Sequence, residues 1–212
     1  MKPRSQHLEE PEEKGEEKSW LRPLKYILAI AIILIIIIMA IPYYAVKLDP
    51  EPKNIPTIDE IILPNLEAEN RTDVTAKNDF YRLVNGNDQE IKIMADKIVS
   101  YGCDSSRICQ AKAIYYFVRN NLIYISDPPY EYVKGPKETL LTKGGDCDDH
   151  AVLLANLMEA IGIETEFVFT ENHVYNRIYL PESLNKYKIK GTGWVNLDAT
   201  CKICDFGEIT IH

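Results

Sequence analysis

Between Tyr26 and Val46 the chain runs 21 residues without a charged side chain, and most of them are Ile, Leu or Ala. No other feature limits the folding of this chain so tightly. At about 1.5 Å of rise per residue, a helix of that length extends about 31 Å, matching the roughly 30 Å hydrocarbon core of a bilayer. A core helix of a soluble domain would need an apolar surround on all sides. No other segment of these 212 residues supplies one. The apolar region of a cleavable signal peptide is shorter, about 7–15 residues. Residues 26–46 therefore read as a transmembrane helix.

Basic residues set the expected orientation. Lys14, Lys18, Arg22 and Lys25 precede the span closely, whereas Lys47 and Lys53 follow it. The positive-inside rule then keeps the N-terminus in the cytoplasm and exports residues 47–212. Residues 1–25 read as a disordered cytosolic tail, since the first 19 hold six Glu and four Lys or Arg with no apolar period. Residues 1–46 balance at six basic and six acidic groups, so the exported part carries the whole net charge of −8. An acidic exterior excludes nucleic acid and anionic membrane surfaces as natural partners.

Residues 47–77, with Pro50, Pro52, Pro56 and Pro64 among polar residues, read as an extracytoplasmic linker. It contains a glycosylation sequon at Asn70-Arg71-Thr72. A domain is expected over 78–212. Ile91, Met94, Ile98 and Val99 recur at helical spacing up to Gly102, and a second amphipathic helix is expected over Ser106–Asn121. Leu122–Ile125 suits a short strand, and 126–143 reads as loop. A third helix starts around Cys147, with Asp146 as N-cap, Asp149 completing a short capping box, and Gly162 as the stop. Strands are expected over Glu164–Thr170, His173–Leu180 and Trp194–Asp198. The fold class is α+β: a transmembrane helix, then helices packed on an antiparallel sheet.

All five cysteines follow the apolar span. If Cys147 is a free nucleophile, four remain, with three possible connectivities. The simplest pairing is local, Cys103 with Cys109 and Cys201 with Cys204. Zinc bound by these four thiols is the rival reading, which the C-x5-C spacing fits poorly.

The segment Gly144-Gly145-Asp146-Cys147-Asp148-Asp149-His150-Ala151 carries the chemistry. A cysteine at the first helical position meets unpaired N–H groups and the positive end of the helix dipole, which favour a thiolate. Three neighbouring aspartates oppose it unless they point onto other groups, so an imidazolium partner must supply most of the activation. His150, one turn along the same helix, and His173, at the start of a strand, compete for that role. Asp198, at the end of another strand, could orient the ring of His173.

The run Gly145–Ala151, His173 beyond a short strand, and Trp194-Val195-Asn196-Leu197-Asp198-Ala199-Thr200 together resemble the transglutaminase-like superfamily, in a membrane-anchored prokaryotic form. The similarity covers roughly residues 85–210. It implies a papain-related fold and a catalytic triad of Cys147 as nucleophile, His173 as base and Asp198 as orienting carboxylate, with His150 structural. It further implies an acyl-thioenzyme formed on a peptide or protein amide outside the cytoplasm, with hydrolysis favoured over amine transfer. No cofactor or metal is expected, and the calcium sites and extra β-domains of eukaryotic transglutaminases are absent. Those enzymes also use an aromatic side chain upstream of the cysteine, for which Tyr130 and Tyr132 are the nearest candidates. The alternative is a catalytically silent binding or scaffold domain of the same fold.

Overall fold

The computed structural model describes residues 21–68, 77–127 and 132–209. The tail up to residue 20, the sequon at Asn70 and Tyr130 lie outside them. The chain divides into two compact units, Met1–Tyr44 and Ala45–His212.

In the first unit lies most of helix α1, Leu21–Leu48. Its stretch Pro23–Ile41 has a mean hydropathy of 3.0, and protein buries none of it. By length and composition this helix can cross a membrane.

The second unit is mixed helix and sheet. Helix α2 is the single turn Ile58–Ile61, and a 3-10 stretch covers Lys77–Leu83. Helix α3 (Gln89–Gly102) starts where Asp88 accepts hydrogen bonds from the N–H groups of Glu90 (2.9 Å) and Ile91 (3.1 Å). Helix α4 (Arg107–Asn121) has Ser106 in the same role. Strand β1 (Ile123–Tyr124) pairs in parallel with β2 (Gly144–Gly145), and helix α5 (Pro136–Thr142) lies between them in sequence. Helix α6 (Cys147–Ala160) ends before Gly162, whose φ of +75° suits only glycine readily. Strands β3 (Thr165–Phe169), β4 (Val174–Tyr179) and β5 (Trp194–Leu197) form an antiparallel sheet in that order.

Helix α6 is the centre of the unit because it is buried on nearly every side. Val152, Leu153, Leu154, Leu157 and Met158 are all fully buried, although they face different directions. It packs against α3, α4 and α5 on one side and β3 and β4 on the other. Each of these leucines contributes about 1.5–3 kcal/mol by leaving water. Such a helix is a fixed platform, and Cys147 is its first residue.

Two expectations change. The linker expected over 47–77 is not free of the domain in its first half. Ile58, Ile61 and Leu66 enter the main core, Lys53 N–H donates to Gly102 O (3.0 Å), and Asn121 Nδ2 donates to Pro56 O (3.0 Å). Lys112 of α4 is fully buried and donates to Asp49 Oδ1 (2.6 Å), Glu51 Oε1 and Tyr187 Oη (3.2 Å). Burial disfavours its charge, but these partners outweigh that and leave its pKa above the usual lysine value. The prolines there mark an extended strap laid on the domain, which composition alone cannot tell from a spacer. The stretch 126–143, expected as loop, contains α5. At seven residues it is too short for helical periodicity, and Pro136 at its first turn is its main sequence sign.

The cysteines pair as Cys103–Cys109 and Cys201–Cys204, leaving Cys147 free. The four thiols of the zinc reading are therefore spent in disulfides.

Candidate active site

The backbone around Cys147 is shaped by the preceding glycines. A Cβ on Gly145 would sit 2.0 Å from Asp149 Oδ2, so only glycine lets that carboxylate fold back under the turn. There Asp149 accepts from the N–H of Lys134 (2.7 Å) and from its ammonium. Burial drives the Asp149 pKa up to about 6 against the pull of Lys134. Asp146 occupies the N-cap position but makes no side-chain capping bond, so the capping box expected with Asp149 does not form. Lys134 has claimed the carboxylate that would close it. Asp148, also buried, accepts from the N–H of Asp149 (3.0 Å). Asp148 and Asp149 thus have protein partners of their own, which eases the repulsion expected at the sulfur.

His150 is buried, and its Nδ1 lies 2.6 Å from the carbonyl of Asp146, which also accepts the His150 backbone N–H (3.2 Å). Burial lowers its pKa to about 4. A neutral ring donating through Nδ1 fixes the carbonyl just before Cys147 and offers the sulfur no cation.

His173 differs. It stands immediately before β4, across from the start of α6, and its Nε2 lies 3.0 Å from Asp198 Oδ2. It is hydrogen-bonded to Cys147 as well, leaving Nδ1 for the sulfur side. The hydrogen bond with Asp198, then that with Cys147, raises its pKa to about 9 against desolvation. Asp198 follows β5 and is 1% exposed. Burial alone would raise its pKa, but hydrogen bonds from His173 and Thr200 hold it at about 2. Its second oxygen, Oδ1, accepts from Thr200 N–H (3.1 Å) and Thr200 Oγ1 (2.5 Å). An ionised carboxylate, a protonated imidazole and the Cys147 sulfur thus stand in sequence.

His173 opens onto a cleft of about 670 Å³ lined also by Tyr124, Thr170, Glu171, Asn172, Thr200 and Cys201. That is a normal size for a ligand site. Tyr124 was not singled out in the sequence. Its place depends on the pairing of β1 with β2, which brings residue 124 beside residue 145. Burial raises its pKa, and the proximity of Cys147, Asp146, Asp148 and Asp127 raises it further. Of the two aromatics expected upstream of the cysteine, Tyr132 turns away and donates to Glu138 Oε2 (2.7 Å). Asp127, Asp146 and Asp149 offer oxygens within 4.8 Å of one another, a grouping that could take a cation. The Lys134 ammonium already supplies positive charge there.

No curated protein matches the chain significantly. A candidate cysteine protease from Cytophaga hutchinsonii aligns with 66% of this chain and 46% of its own, at 20% identity and a TM-score of 0.39. The periplasmic domain of TgpA from Pseudomonas aeruginosa, bound to ethylmercury, aligns with 60% and 50%, at 18% identity and a TM-score of 0.39. The chain therefore spans about half the length of these solved structures. The sequence model of the transglutaminase-like superfamily matches residues 94–199, from α3 to just beyond Asp198. On that match, and with the fold described, the chain belongs to the transglutaminase-like superfamily.

Proposed function

We propose that this protein is a membrane-anchored thiol enzyme that cleaves peptide or protein amides outside the cytoplasm through Cys147, His173 and Asp198. The observation that carries this reading is the position of the His173 ring, hydrogen-bonded to Asp198 on one side and Cys147 on the other. The thiolate of Cys147, paired with the protonated His173 ring, attacks the amide carbon, forming an S–C bond. The oxyanion is met by the backbone N–H of Cys147, with the hydroxyl of Tyr124 as second donor. His173 passes its proton to the amine nitrogen, the C–N bond breaks, and an acyl-thioester remains. His173 then takes a proton from water as its oxygen attacks the thioester; the S–C bond breaks, a carboxylic acid leaves, and the thiolate and the protonated ring are restored. Asp198 keeps the ring oriented and its positive form favoured throughout. The apolar helix Leu21–Leu48 supports the anchoring, and the greater number of basic residues before it supports export of the domain.

Alkylation of Cys147 by iodoacetamide near neutral pH tests the reading. Labelling is expected to be faster than for a free thiol and to slow markedly in His173→Ala. Labelling at the free-thiol rate, unchanged by that substitution, overturns the proposal.

A further inference from the structure

The cleft has two properties that its chemistry does not require. The first is a strand edge that pairs with no other strand among the described residues. The N–H groups of Ile123 and Ile125 donate toward the β2 side, to Lys143 O (3.0 Å) and Gly145 O (2.9 Å). Because backbone groups alternate along a strand, the N–H and C=O of Tyr124 face away from β2. An unpaired edge is a template for another extended chain. Ile123, Tyr124 and Ile125 are 66%, 51% and 51% exposed, and this apolar edge runs into the cleft through Tyr124.

The second property is the sign of the charge. Glu171 lines the cleft and forms no ion pair among the described residues. Asp127, Asp146 and Asp148 surround Tyr124. The nearby cations are committed elsewhere. Lys134 holds Asp149, Lys202 donates to the carbonyls of Arg119 and Leu122, and Arg119 donates to the carbonyl of Cys204. The charge of His173 is matched by Asp198. A concave site whose uncompensated charge is of one sign concentrates ligands of the other.

We propose that the substrate of this cleft is an extended polypeptide segment with a basic side chain next to the reacting amide, its main chain paired to the outer edge of β1 and its cation facing Glu171. This rests on the thiol-enzyme reading above and adds the substrate class to it.

The test uses the full chain in nonionic detergent and peptidyl electrophiles that share one backbone and one warhead, with Lys, Ala or Glu beside the warhead. Rates of Cys147 labelling are each divided by the iodoacetamide rate of the same protein. At low ionic strength the Lys peptide is expected to exceed the Glu peptide by about tenfold or more, the gap narrowing with salt. Glu171→Gln should reduce that ratio about threefold or more. Methylating the backbone nitrogens of the Lys peptide should slow it about fivefold or more, because the strand pairing loses donors. Equal rates for the three peptides, a preference for Glu, an unchanged ratio in Glu171→Gln, or indifference to methylation overturns the inference. If iodoacetamide labelling still depends on His173 in that case, the thiol-enzyme reading stands. If it does not, that reading has failed first.

Discussion

At the scale of single residues, the charge state of the site is set by Asp198. Its carboxylate is almost out of solvent, yet three hydrogen bonds, from His173, Thr200 N–H and Thr200 Oγ1, keep it ionised. His173 gains in turn. On the proposed mechanism, Asp198→Asn should lower kcat by about 10²–10⁴ with a smaller change in KM, since orientation and charge are lost while the cleft remains. The pair should also leave a mark on stability. The His173 pKa is raised from 6.5 to about 9, so its contribution is complete below 6.5 and lost as pH rises through about 9. The Asp198 pKa is lowered from 3.8 to about 2, so its contribution is present above 3.8 and lost as pH falls through about 2. Urea unfolding of the wild type and Asp198→Asn should therefore differ most between about pH 4 and 6.5, with the gap narrowing as pH rises through about 9 to the share held by Thr200. A difference independent of pH would contradict this. Cys147, His173 and Asp198 were legible as candidates because each begins or adjoins a regular element with a recognisable pattern. Tyr124 was not, because nothing local reveals that a two-residue strand will pair with the glycines before the cysteine.

At the scale of elements, the turn from β2 into α6 is where packing meets chemistry. Gly145→Ala drives a methyl group into the carboxyl group of Asp149. The expected cost is about 1–3 kcal/mol of stability, with a slower Cys147 because the start of α6 must shift. Unchanged melting and labelling would show that this turn does not position the sulfur. The long elements α3, α4, α6 and the three-stranded sheet follow from periodicity and caps, and the structure gives them close to the expected bounds. The N-cap interaction at α6 does not follow, because Asp149 binds Lys134, fifteen residues earlier in the chain. Sequence spacing favours the local partner, whereas a buried carboxylate takes the strongest donor in reach.

At the scale of the whole molecule, the strap over residues 49–66 decides where the folded domain begins. Removing it would expose the cover of α3 and α4 and leave Lys112 without Asp49 and Glu51. A soluble form starting at Asp49 should therefore melt cooperatively, and one starting at residue 78 should be less stable by about 3 kcal/mol or more. Equal melting temperatures would return the strap to the status of a spacer. With Asp198 ionised and His173 protonated, the pair is a charged assembly within the folded domain. The most direct test is an NMR titration of the His173 ring in the folded protein, with Cys147→Ala beside it. The account predicts a midpoint near pH 9 that falls in Cys147→Ala. A midpoint near 6.5, unmoved by loss of the thiol, would contradict it.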